Sequence, residues 1–347
     1  MSIYSANRSG SMSMSNVAAN EAYGMSDLGR ILYESECNNQ KIFEAVLATD
    51  FHEVKGLREG TLLEAEVDEA NAKSKESLIA KLKARLAAFW AKIKQAFETA
   101  IQKIGAYILK DGKAFAKEFR DQQAKFKKEY DGSVEAMMPT GFTVDLKSAN
   151  DLEQEIRAHM NDETKLNQAE VAGNALGKYI GFSSCTPREF QNAVVEKSFA
   201  RRKVTSGDFD TMLKFLENAS QAIKDLKGYQ KGTQKVIEEV GKKLKAAEKD
   251  NKATAKYITV LVGACEVVVA NTAKANINIV RGTAKSYRVA LNKIRSMCLH
   301  ENAAWIESAA LAAGDEVDVA MSDDAAEPDP ETQEAIDTVV AAADAEV

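Results

Sequence analysis

From Leu78 to Ile108 the large apolar residues recur at steps of three or four. They are Leu78, Leu82, Leu86, Phe89, Ile93, Phe97, Ile101, Ile104 and Ile108, the spacing of one face of an α-helix. With Trp90 and Tyr107 they fall in an arc of about 140° on a wheel of 100° per residue. No proline interrupts the run, and Ala, Leu, Lys and Gln favour the helical state. Lys81, Arg85, Lys92 and Lys103 line one border of the stripe, and Lys83 and Lys94 line the other.

Such a helix has three uses. It can pack on another helix, with lysine stems covering the seam. It can lie in a membrane interface. It can turn its basic edges to a polyanion.

The same periodicity predicts helices through most of the chain. Leu28, Ile31, Ile42, Phe43, Val46, Leu47 and Phe51 give one or two helices between Met25 and Asn71. Gly112, in the segment KDGK, marks a break or kink, after which Phe115, Phe119 and Phe126 resume the pattern up to Tyr130. Residues 131–133 (DGS) end it, and Met138 to Gly141 reads as a turn. Phe142 to Leu146 alternates apolar and polar positions, the mark of a single short strand. Helices are expected over 151–161 and 165–180. Thr186, Pro187 and Glu189 form a capping box that starts a helix running to about Arg202. A helix beginning near Ser206 or Asp208 and a second from Tyr257 to Met297 read as a long antiparallel hairpin. The polar segment Asn271–Asn278 could bend the second arm. The expected fold is therefore mostly α: an elongated set of helical bundles and hairpins with at most one short strand pair.

Six regions follow: a disordered arm (1–24), an acidic helical segment that could be a propeptide (25–72), the basic amphipathic region (73–130), a small mostly helical domain (131–205), the long hairpin (206–300) and an acidic tail (301–347). The Ser- and Met-rich start lacks the apolar core of a signal peptide. The tail is expected to be disordered apart from a short helix after Pro330.

Charge sharpens this picture. The net charge of -6 conceals alternating blocks. Residues 1–72 carry 5 basic and 12 acidic side chains; residues 73–128 carry 15 and 5; residues 129–200 carry 6 and 12; residues 201–300 carry 20 and 9; residues 301–347 carry 0 and 14. Blocks of this size suit self-assembly or large charged partners, or they neutralise one another inside the fold. Arg201, Arg202 and Lys203, and Lys242, Lys243 and Lys245, are two basic clusters on expected helices. With Lys81, Arg85, Lys92 and Lys103 they are the candidate polyanion contacts, of a kind that reads charge rather than sequence.

Catalytic chemistry finds no motif. His52, His159 and His300 have no nucleophile or metal partner at motif spacing, and no phosphate-binding glycine loop or nucleophile elbow occurs. Cys37, Cys185, Cys265 and Cys298 are scattered, which suits reduced thiols acting as small apolar residues. No catalytic residue, cofactor site or metal site is assigned, and the chain is expected not to be an enzyme.

Three segments carry a resemblance. LGRILYESECNNQKIFEAVLATDFHEVKGLREGTLLEAEVDEAN, then FWAKIKQAF and KDGKAFAKEF, resemble the virion structural proteins of large tailed phages, over about residues 25–130. Those head or internal virion proteins share an acidic N-terminal segment followed by a lysine-rich amphipathic helix with paired aromatics. The resemblance implies a non-enzymatic protein in or lining a phage head, assembled in the host cytoplasm. Its partners would be other virion proteins and copies of itself, through the stripe Leu78–Ile108 and the hairpin. Non-specific DNA binding or membrane association is the alternative. In some such phages an assembly protease cuts after Glu in a Leu/Ile-x-Glu pattern. Leu62-Leu63-Glu64 fits, making Glu64 a candidate processing site, although Leu32-Tyr33-Glu34, Leu57-Arg58-Glu59 and Leu299-His300-Glu301 fit as well.

Overall fold

The core is laid down along one helix, Ala255–Cys298, whose residues are apolar or small around most of its circumference. Thr254 caps its start by accepting a hydrogen bond from the Tyr257 amide (3.1 Å). By length and hydropathy it could cross a membrane, but 72% of its most apolar window is buried inside the chain. It is apolar all round because other helices surround it.

The computed structural model describes residues 71–146, 149–158, 167–249, 253–300, 308, 310–315, 321 and 330–346. They belong to one compact unit, Val67–Val347. The expected arm 1–24, nearly all of the acidic segment 25–72, Glu64, Cys37, His52 and His159 lie outside the described residues. In chain order the elements are α1 (Asn71–Tyr107), a π-turn (Ile108–Gly112), α2 (Lys113–Asp121), α3 (Gln123–Glu129), β1 (Glu135–Pro139), α4 (Ala149–Ala158), α5 (Gln168–Ile180), α6 (Pro187–Ser198), β2 (Phe199–Lys203), α7 (Phe209–Glu217), α8 (Ser220–Ala247), α9 (Ala255–Cys298) and α10 (Pro330–Glu346). The protein is mostly α, with one two-stranded antiparallel sheet.

Helices α1, α8 and α9 pack on one another and form the body of the unit. The hairpin expected over 206–300 is present as α8 and α9, but its first arm is divided. The chain leaves helix at Asn218 and Ala219, so α7 and α8 are separate. Helices α4, α5, α6 and α7 and strand β1 all pack on α9. The three regions drawn from the sequence between 73 and 300 thus share one central helix.

The strand pair is not where alternation placed it. β1 pairs with β2 in the register Glu135↔Lys203 to Pro139↔Phe199. Met138 and Pro139, expected in a turn, are in β1, while Phe142–Leu146 forms no strand. The backbone of Val144 is instead held by one side chain: Asn276 Oδ1 accepts from Val144 N (3.3 Å) and Nδ2 donates to Val144 O (3.0 Å). The helix expected to reach Arg202 stops at Ser198, although its start keeps the full capping box of Thr186 and Glu189.

Two glycines allow close packing. Gly112 does not break the helical path. The chain passes through it as a π-turn, and a Cβ there would lie 3.0 Å from the Leu216 carbonyl oxygen of α7. At Gly282 a Cβ would lie 2.7 Å from Phe199 Cζ, so α9 accepts the aromatic ring that begins β2 only without a side chain. α9 continues through the polar segment Asn271–Asn278 without a break in the helix. The segment's residues serve docking: the backbone carbonyl oxygen of Asn271 accepts from Gln191 Nε2 (2.8 Å), and the side-chain amide of Asn276 holds Val144. The helix expected after Pro330 in the tail is present as the seventeen-residue α10, which packs on α1, α8 and the π-turn. Ile336 and Ala343 are its buried contacts, and Ile336 lies over Gly105 of α1.

Candidate interaction surfaces

The stripe of α1 faces inward. Leu82, Leu86, Ile93, Phe97, Ile101, Ile104 and Ile108 are buried, together with Ile79, which the sequence reading omitted from the stripe. Leu78, Phe89 and Trp90 are half-buried at its edges. What covers them is the same chain, since α1 packs on α8, α9 and α10. Among the described residues Phe182 is the only large hydrophobic side chain counted as exposed, at 52%. The described surface is therefore polar, and its partners must be sought through its charges.

Many of those charges already meet across elements. On α1, the Arg85 guanidinium grips Glu266 of α9, with Nε donating to Oε1 at 2.7 Å, and Lys83 pairs with Glu248. Lys81 and Lys92 are exposed and Lys103 is half-buried. Arg120 of α2 reaches both Glu217 (2.9 Å) and Asp210 (3.2 Å) of α7, and Glu217 raises its pKa. Arg295 of α9 holds Glu118 (2.7 Å). The acidic helix α10 ties to the basic α8 through Asp344 and Lys227 (3.1 Å). Opposite charges thus meet between helices, and Lys227 with Asp344 joins the basic block 201–300 to the acidic tail. Glu266, the one acid in the apolar first half of α9, is what the sequence reading had no means of assigning to Arg85.

The two basic clusters are split by the fold. Arg201, Arg202 and Lys203 lie on strand β2 rather than on a helix, and all three are exposed. Arg201 Nε pairs with Glu135 Oε2 across the sheet (3.0 Å). Arg202 makes a two-pronged contact with Asp208 (2.7 and 2.9 Å). On α8, Lys243 turns inward to Glu153, which also receives Arg157 (2.6 Å) and the Tyr257 hydroxyl (3.2 Å). Burial pushes the Glu153 carboxyl up, but the Lys243 and Arg157 hydrogen bonds outweigh it and hold it below the usual range. Lys242 and Lys245 stay exposed.

Asp208 closes the turn before α7. It receives Arg202 and also the amide and hydroxyl of Thr205 (2.8 Å each). The Arg202 hydrogen bond, with those from Thr205, holds its carboxyl far below the ordinary carboxylate value. A depressed folded-state pKa contributes stability above pH about 4, and that contribution disappears as the pH falls further. Asp208→Asn is expected to cost about 1–2 kcal/mol at pH 7, from the turn hydrogen bonds and the charge-assisted pair. The gap in thermal midpoint between wild type and variant should narrow as the pH falls below about 4 and close only near the depressed folded-state pKa. A cost independent of pH would show that the charge of Asp208 contributes nothing.

Burial pushes the Cys185 thiol up to about 11 and the Cys265 thiol up to about 12, and raises that of Cys298. These are protonated, buried thiols, unsuited to nucleophilic attack. His300 is exposed. Among the described residues no group of three His, Cys, Asp or Glu side chains could hold a metal ion. An open groove of about 550 Å³ at the α7–α8 junction is lined by Lys214, Phe215, Ser220 and Tyr287, among others. Compared with protein-family models, curated proteins and solved structures, the chain matches none.

Proposed function

We propose that this chain is a non-enzymatic structural protein of a phage particle, associated with the head or internal to it, that works by packing against other virion proteins and copies of itself. The observation that carries this reading is the pairing of opposite charges between elements, including Lys243 with Glu153 and Lys227 with Asp344, which join the basic block 201–300 to acidic ones. A helical block that satisfies its own apolar stripe, and meets its surroundings through charged side chains, suits a particle building unit. The likeness of residues 25–130 to phage virion proteins gives that unit its setting. The stripe Leu78–Ile108 holds the unit together in this reading, so contacts with other virion proteins fall on its polar faces. The membrane alternative loses its main support, because the face that would enter a lipid interface is covered by α8, α9 and α10.

Mass spectrometry of purified particles tests the proposal. Peptides from residues 71–347 are expected in the particle. If Glu64 is a processing site, the first N-terminal peptide begins at Ala65. Absence of the chain from particles would overturn the assignment. An N-terminus at Met1 would remove only the processing step.

A further inference from the structure

Helix α8 presents Lys224, Lys231, Lys235, Lys242 and Lys245 on its solvent side, and all five are exposed. At 100° per residue they fall within roughly 80° of arc, directly opposite the buried Leu226, Thr233, Val240 and Leu244. At 1.5 Å per residue the row is about 32 Å long. One acid, Glu238, lies within the row, and it accepts from Gln234 Nε2 (2.8 Å). Some basic side chains of the fold face acids of other elements, as Arg85 faces Glu266 and Lys243 faces Glu153. Lys235, Lys242 and Lys245 have no such partner among the described residues. Like charges three residues apart, such as Lys242 with Lys245, work against a helix, and an outside anion would offset them. Gly228 adds to the row: it is exposed, and a Cβ there would meet nothing within 4 Å. Alanine would suit that helical position better by about 1 kcal/mol, and no described residue requires the glycine.

We propose that this lysine row is a docking surface for duplex DNA that grips the phosphate backbone without reading sequence. Its length is close to one turn of B-form duplex, about 34 Å. No aromatic side chain lies in the row, which removes the stacking platform that single strands require. Point-charge lysines, rather than forked arginines or amides, suit phosphate oxygens and not base edges. The bare backbone at Gly228 allows the sugar–phosphate chain to approach closely. This inference stands independently of the particle reading: a protein outside any particle could carry the same surface, and a particle protein could lack its function.

The test uses the full chain and a fluorescent 30-base-pair duplex, with anisotropy read from 50 to 300 mM salt. Wild type is expected to bind at low salt, with log K falling against log salt at a slope of about −4, as four or five neutralised phosphates require. The variant K231E/K235E/K242E/K245E should bind at least tenfold more weakly and lose most of that slope. A control of equal charge change on other elements, K110E/K113E/K117E/K128E, should lose less than threefold. Circular dichroism establishes that both variants fold. No wild-type binding at 50 mM salt, equal losses in the two variants, or tighter binding to a single strand than to the duplex would each overturn the proposal.

Discussion

Phe97→Ala is expected to destabilise the folded chain by about 3–5 kcal/mol, the range for deleting a buried aromatic ring. Phe97 has no exposed surface and lies midway along α1, on the face that meets α8 and α9. The loss combines the transfer of the ring to water with a cavity that three long helices cannot close without moving along their length. Trp90→Ala, at the half-buried edge of the same stripe, should cost less than half as much. The comparison separates two uses of one pattern. A stripe that serves an external partner leaves the isolated chain equally stable with Ala at 97 and changes only association. A stripe that closes the chain's own bundle lowers the urea midpoint of the isolated chain at a dilution where no copies associate. A midpoint within 0.5 kcal/mol of wild type would return the stripe to the surface.

Periodicity made α1 legible because its apolar residues follow a single face for eight turns. It could not say what covers that face. An apolar arc bordered by lysines is the same arrangement whether a bilayer, another chain or a later helix of this chain lies against it. The answer depended on α8, α9 and α10, which begin more than 110 residues after α1 ends. Capping was legible for a different reason. The box of Thr186 and Glu189 is closed by backbone and side chains within four residues, so no distant contact is needed to form it.

Where sequence reading misplaced structure, a distant side chain had decided the outcome. The KDGK segment has the composition of a break, yet Gly112 is there because the α7 backbone passes 3.0 Å from where a Cβ would stand. The segment FARRK has helical neighbours, yet it pairs as a strand with EAMMP more than 60 residues earlier. The Arg201–Lys203 cluster then appears on an exposed sheet edge rather than a helix face. Lys242 and Lys243 are adjacent in sequence, but about 100° of helix rotation sends one to solvent and the other to Glu153. Charge runs therefore gave the wrong grouping: the row on α8 is built from lysines spaced along the helix, not from consecutive ones.

Asn276→Ala carries the second large expected effect, about 2–4 kcal/mol, and it tests why Phe142–Leu146 is not a strand. The alternation of that segment satisfies the side-chain requirement of a strand but not the backbone requirement. A strand needs a partner for its amides and carbonyls, and none is beside it. The Val144 backbone is buried with its side chain at 1% exposure, so its N–H and C=O must be satisfied. The Asn276 amide supplies both an acceptor and a donor from one side chain that is itself 99% buried, its relative exposure being 1%. Truncation strands two backbone groups, each costing about 1–3 kcal/mol when buried without a partner. Asn276→Leu restores the volume but neither hydrogen bond and should not recover stability. Asn276→Asp keeps an acceptor for Val144 N but sets a second oxygen against Val144 O, so it should be no better. Asn278→Ala, two residues along and half-buried, should cost less than about 1 kcal/mol. Amide exchange gives the local readout: protection at Val144 should fall in the alanine variant by more than the global loss of stability explains. Equal protection in both proteins would show that the segment is held by its packing alone, and that the paired hydrogen bonds to Asn276 are incidental to its path.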